Sequence, residues 1–200
     1  MFSESYQLVQ YDGARWRPGF PAPEACGASE RVWLAERTAG GWAEPRPLDA
    51  TVNEHNMHWQ FSLDMNRNLY FAGQAPDSLG MGDIYLARFS GGKYEKPVNV
   101  GAPVNTKGTE TSPFIAPDGS YLLYSSQYDL WVSFRAEKGG WLEPVKLGPE
   151  VNSPSVELCP MVTADGKYLF FISQRDGESH PYWASAEAVY KLRSETKRPR

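Results

Sequence analysis

Two hundred residues, 41% of them hydrophobic and 14% aromatic, are enough to bury one sizeable core in a single domain. The formal charge of −4 gives no basis for nucleic-acid binding, and no apolar run reaches the roughly 20 residues that a membrane-spanning helix requires. Two cysteines, Cys26 and Cys159, are too few and too far apart for a disulfide framework or a metal knuckle, and they read as free thiols.

The chain begins MFSESYQLVQYDG, without the basic start and apolar stretch of an export signal. Residues 6–18, YQLVQYDGARWRP, read as a strand c and a strand d joined by an Asp-Gly turn, and residues 19–30, GFPAPEACGASE, as an irregular connection. The whole of 1–30 is therefore expected to be an irregular N-terminal hairpin region.

From residue 31 the chain repeats itself through to about 187. A strand-like run (RVWLAER at 31–37, DIYLARF at 83–89, DLWVSFR at 129–135) is followed each time by a glycine-aromatic-proline phrase: GGWAEPRPLDATVN, GGKYEKPVNVGAPVN and GGWLEPVKLGPEVN. Trp42, Tyr94 and Trp141 are equivalent, 52 and 47 residues apart, and Asn53, Asn105 and Asn152 close the three phrases. Two further runs follow each phrase, as in SPFIAPDGSYLLYSS (112–126) and CPMVTADGKYLFFIS (159–173). Asp118-Gly119 and Asp165-Gly166 are tight hairpin turns, because glycine accepts the positive φ such turns need. In the first repeat Asp64-Met65-Asn66 is a longer turn, with Asn66 in the glycine's role. A unit of about 50 residues with four strand candidates, a to d from the axis outward, is the signature of a propeller blade. The chain ends on a fourth strand c, PYWASAE (181–187). SAEAVYKLRSE (185–195) then reads as a short C-terminal helix, with a basic tail running to residue 200.

Strand b carries the strongest packing signal. LYFAG, YLLYSS and YLFFIS do not alternate apolar with polar, so both faces of each middle strand are expected to be dry, as in sheets sandwiched between neighbours. Each buried aromatic contributes about 1.5–3 kcal/mol. The fold class is thus all-β: a propeller of about four to five four-stranded blades with a short C-terminal helix. The two leading hairpins can merge into one sheet, which leaves ring closure open.

The DG-centred repeats and the ending YWASAEAVYKL resemble the WD40-like PD40 repeats of TolB-type β-propellers over about residues 31–193. The resemblance implies a binding platform, an enzyme side domain or a catalytic scaffold, and a periplasmic or exported protein. Similar chains have a complete a–b strand pair where residues 19–30 stand here.

Candidate site residues lie where loops enter strand a and shape one mouth of the channel. Glu110 and Glu157 each stand eight positions before a turn aspartate, and Asn56 takes that place in the earlier repeat. They admit two readings: a polar collar for a cation or a hydroxyl-rich ligand, or carboxylates that accept backbone N–H bonds. NEHNMHW (53–59) is the least repeat-like loop, and it supplies Glu54, His55, Asn56, His58 and Trp59 as ligand-binding candidates. His55 and His58 are weak metal candidates, since His180 is the only other histidine. Asn53, Asn105 and Asn152 read as structural, bonding turn backbone. Asp83, Asp129 and Arg175 read as fixing loop geometry. No nucleophile elbow, P-loop, dinucleotide-binding glycine pattern or zinc-protease motif occurs. The composite reading is a non-enzymatic binding module for a protein partner or a glycan-like ligand, with no cofactor. The alternatives are a sugar-active hydrolase using Glu110, Glu157 or the histidine loop, and a propeller fragment that assembles with a second copy.

Overall fold

The structure is a computed structural model that describes residues 6–11, 31–54 and 56–196. Strands β1 (Tyr6–Tyr11), β2 (Arg31–Thr38), β3 (Gly41–Trp42) and β4 (Arg46–Pro47) form sheet I. The single helical turn α1 (Ala50–Asn53) leads into sheet II. That sheet holds β5 (Asn56–Leu63), β6 (Leu69–Gln74), β7 (Asp83–Ala87) and β10 (Val98–Asn99), with the small β8 (Phe89–Ser90)–β9 (Lys93–Tyr94) hairpin between the last two. Sheet III runs β11 (Glu110–Ile115), β12 (Tyr121–Ser126), β13 (Asp129–Phe134) and β14 (Val145–Lys146). Sheet IV has three strands, β15 (Glu157–Val162), β16 (Tyr168–Ser173) and β17 (His180–Ser185), and helix α2 (Glu187–Thr196) follows.

All pairings within the sheets are antiparallel, in the a-b-c-d order read from the repeat. The leading segment differs from the expectation. β1 pairs with β2 in register from Tyr6 opposite Glu36 to Tyr11 opposite Arg31, so it occupies the b position of sheet I rather than a strand c of its own. The expected turn and second strand of that hairpin, at 12–18, lie outside the described residues.

The apolar core is divided among the seams between sheets. Val32, Leu34, Leu48 and Val52 of sheet I and its connection pack on Leu69, Phe71 and Tyr85 of sheet II. Tyr70, Ile84 and Leu86 of sheet II meet Ile115, Leu122 and Tyr124 of sheet III. Leu123, Leu130, Val132 and Phe134 of sheet III meet Leu169 and Phe171 of sheet IV, with Val189 and Leu192 of α2 closing the seam. The a strands gather at the centre: β11 packs against both β5 and β15, and the Gln60 side chain of β5 donates to the Pro160 carbonyl of β15 at 3.0 Å. A sheet covered on both faces and converging on an axis with its neighbours is a propeller blade.

Strand b obeys the dry-on-both-sides rule in sheets II and III, where β12 is buried along its whole length. It breaks the rule in sheet IV. There β16 alternates, with Leu169 and Phe171 buried against sheet III and Tyr168 and Phe170 exposed. The cause is positional, because no further sheet of the described chain follows sheet IV.

Turn chemistry explains the hairpins. Gly119 and Gly166 both have φ of 72°, and each preceding aspartate accepts the N–H two residues on. In the first repeat Arg67, not Asn66, holds the left-handed conformation at φ 66°. Asp64 makes that tolerable by accepting the N–H groups of Asn66 and Asn68 and the Asn68 side-chain amide.

Candidate functional site

One end of the propeller is built from the connections into strand a and the loops between strands b and c. Its frame is a repeated asparagine. Asn53 accepts the Val32 N–H at 2.9 Å and donates to the carbonyls of Val32 and Leu48. Asn152 does the same with Leu130 and Leu147. Asn105 accepts from and donates to Ile84, with Asn99 as its third partner. Each buried amide thus pairs with strand c as a strand residue would, where the connecting chain has no backbone to spare.

The second layer is a buried acid in sheets III and IV. Glu110 is fully buried: Thr106 N–H donates to its Oε2 at 2.9 Å, and the Thr106 and Ser126 hydroxyls donate to Oε1 at 2.7 and 3.0 Å. Glu157 repeats this with Ser153 N–H on Oε2 and the Ser153 and Ser173 hydroxyls on Oε1, and the Arg175 guanidinium stands 3.7 Å away. The backbone N–H groups of Glu110 and Glu157 donate to Gly82 and Tyr128, which belong to the b–c loops of the preceding sheets. A carboxylate with this many donors is stable when buried and has little capacity left for a ligand. Both acids face inward and hold the loops that form the rim.

Sheet II departs from this pattern. Gly73 lies opposite Asp83 as Ser126 lies opposite Asp129, and Met57 pairs with Gly73. Pairing therefore puts Met57 in the place of Glu110, and Asn56 sits one position further out, opposite Gln74. Counting eight back from the turn aspartate misses this because Asp64 directly follows β5, whereas Ala116 and Pro117 separate Asp118 from β11. The turn after β5 is one residue shorter than its counterpart, and the one extra residue in the β5 bulge offsets the difference only in part. Glu54, immediately after Asn53, takes the place of Thr106 and Ser153 and is exposed.

The b–c loop of sheet II, residues 75–82, is also longer than the two-residue Gln127-Tyr128 link of sheet III. An internal network holds it. Asp83 accepts the N–H groups of Leu79 and Gly80 and the Asn99 amide, while the Tyr85 hydroxyl bonds Asp77 and Ser78. Burial pushes the Tyr85 phenol up, with Asp77 adding to the effect, so it stays a donor. Met81 N–H donates to the Gly108 carbonyl, and a Cβ on Gly80 would lie 2.0 Å from that oxygen. On this rigid support Leu79 and Met81 are exposed, and Tyr128, at φ 71°, is exposed at the same end; each exposes half or more of its surface.

Of the residues singled out in the sequence, Glu54 is on this rim and His55 lies outside the described residues. Asn56, His58 and Trp59 are placed on β5, while Glu110 and Glu157 lie beneath the surface. No group of three metal-ligating side chains occurs among the described residues. His180 opens β17 with Glu178 3.7 Å from its ring. Arg175 bonds Ser173 and the Val151 carbonyl, and Asp129 pairs with Lys146 at 2.7 Å. Leu79, Met81 and Tyr128 were not legible as site residues from composition; the readable signal is the extra length of the loop at 75–82. At the opposite end, a cleft of about 490 Å³ opens between sheets III and IV beneath α2, lined by Phe114, Tyr121, Val162 and Tyr190.

No protein-family model matches the chain, and no curated protein matches it in sequence. Among solved structures it is similar to a TolB-like protein of Agrobacterium tumefaciens, at 15% identity and a TM-score of 0.54, over 80% of this chain and 55% of that one. It is also similar to an endo-arabinase of Bacteroides thetaiotaomicron, at 17% identity and a TM-score of 0.50, over 78% of this chain and 66% of that one. The chain thus spans about half the length of the first and about two thirds of the second. Sheet order, divided seams and this likeness agree on one architecture: the chain has the fold of the TolB-type β-propellers.

Proposed function

We propose that the chain is a non-enzymatic binding module that docks a protein partner on the rim formed by its b–c loops. The observation that carries this reading is the outward presentation of Leu79, Met81 and Tyr128 by loops that are themselves fixed by hydrogen bonds. Apolar and aromatic side chains on a pre-ordered support lose little entropy on binding, which suits them as anchors. Glu54 borders the same rim and would supply a polar contact. A sugar-active hydrolase, the other reading, needs two solvent-facing carboxyl groups, and the burial of Glu110 and Glu157 under saturating hydrogen bonds speaks against it.

The test places a photo-crosslinking residue at Met81 or Tyr128 and compares capture with a Met81→Asp variant and a Glu110→Gln variant. One protein captured from both rim positions, and lost with Met81→Asp but not with Glu110→Gln, supports the reading. Binding on a glycan array that Tyr128→Ala abolishes would move the ligand class to carbohydrate. Turnover of chromogenic glycosides that Glu110→Gln or Glu157→Gln abolishes would overturn the module in favour of an enzyme.

A further inference from the structure

The outer face of sheet IV is apolar where the repeat demands a partner. Register fixes the equivalences: Met161 pairs with Phe170 as Phe114 pairs with Leu123, and Trp183 lies opposite Phe170 as Val132 lies opposite Leu123. Tyr168 likewise matches Tyr121. Phe114, Tyr121, Leu123 and Val132 are all buried under sheet IV. Their counterparts Met161, Tyr168, Phe170 and Trp183 keep the apolar character and are between 38% and 64% exposed. The Tyr168 and Trp183 rings meet edge to face at 5.4 Å, so the patch is ordered rather than a scatter of side chains. Helix α2 does not cover it, because Ala188, Val189 and Leu192 turn back into the seam with sheet III.

We propose that this face pairs two copies of the chain about a two-fold axis. Four features choose that occupant. None of the four side chains is charged, so the patch meets itself without like-charge repulsion. Among the described residues of sheet I, Trp33 and Ala35, on the side away from sheet II, are buried and offer no bare surface to receive it head to tail. Edge-to-edge pairing along β17 is discouraged by Pro181, which removes a backbone donor from the edge strand. The four side chains together expose on the order of 500 Å², in the range where the largest patch of a monomer is often functional, and doubling it reaches the lower bound of roughly 1,000 Å² for a specific interface. A self-complementary patch closes as an isologous dimer. This pairing is independent of the b–c-loop rim, so either proposal can fail without the other.

The test is the mass of the full chain in solution by sedimentation and light scattering from about 1 to about 100 µM. The expected result is a species of twice 22.4 kDa that dissociates on dilution. Trp183→Glu and Met161→Glu should each weaken pairing by about 30-fold or more while leaving circular dichroism and melting of the monomer unchanged. Tyr128→Ser, at the rim, should leave the mass as in the wild type. A wild-type chain that is monomeric throughout overturns the pairing. A dimer that survives both glutamate substitutions overturns it as well.

Discussion

Asn152 accepts the Leu130 N–H and donates to the Leu130 and Leu147 carbonyls. The Leu130 carbonyl also accepts the Leu147 N–H, so the loss of Asn152 would leave two buried backbone groups, the Leu130 N–H and the Leu147 carbonyl, without a partner. Each such group costs about 1–3 kcal/mol, and part of that is recovered by water entering the site. Asn152→Ala is therefore expected to lower unfolding free energy by about 2–3 kcal/mol in urea titration and to speed exchange of the Leu130 amide. A change within measurement error would show that the amide is decorative. Cys159 illustrates a different consequence of local geometry. It sits at φ 55° on the bulge of β15, with its sulfur 3.6 Å from the Ser112 hydroxyl of the neighbouring bulge. Burial pushes the thiol up, and the hydrogen bond to Ser112 opposes this only in part. The thiol stays protonated through the pH range in which an ordinary cysteine, near 8.5, begins to ionise. Peptide mapping after iodoacetamide treatment at pH 8 should find Cys159 labelled more slowly in the native chain than in urea; equal rates would rule this out.

Among the elements, the a–b hairpins show how far a short motif determines structure. Gly119 and Gly166 share φ 72°, so alanine at either place strains the backbone by about 1–2 kcal/mol. Their surroundings differ: a Cβ on Gly119 meets nothing within 4 Å, whereas one on Gly166 meets the Tyr190 hydroxyl oxygen at 3.2 Å, an atom that bonds the Gly166 carbonyl and anchors α2. Gly166→Ala should lower the melting temperature more than Gly119→Ala, and the reverse order would exclude the α2 contact as the cause. These two turns could be read from Asp-Gly alone because the pair encodes its own φ. The first-repeat turn could not, since Arg67 takes the left-handed position only with Asp64 holding the surrounding N–H groups, a compensation that composition does not reveal. The strand a bulges were hidden for a related reason. They add residues that period-two reading cannot count, and Asp64 directly follows its strand where Asp118 stands two residues further on, so eight positions before Asp64 falls on Asn56 when pairing selects Met57.

At the scale of the molecule, the continuous apolar runs revealed sheets stacked face to face, but not which face of the last sheet lacks a cover. YLFFIS reads like YLLYSS, yet Tyr168 and Phe170 are exposed where Tyr121 and Leu123 are buried, because what covers a strand is decided by its neighbour and not by its own residues. The burial of Glu110 and Glu157 escaped the sequence in the same way, since their donors come from a connection four residues away and from the end of strand b sixteen residues away. Two adjacent positions in β16 turn this into a test. Leu169 is fully buried in the seam with sheet III, and Phe170 points to the bare face. In the Trp183→Glu background, where copies do not pair, Leu169→Ala removes packed methyl groups from a closed seam and should cost about 2–5 kcal/mol. Phe170→Ala should there cost less than about 1 kcal/mol, as surface changes do. Without Trp183→Glu, Phe170→Ala gains a second penalty that grows with protein concentration, because it then weakens pairing as well as packing. Equal costs for the two alanine variants in the monomer would mean that β16 is covered on both sides by this chain alone, and the radial stacking ending at sheet IV would have to be redrawn.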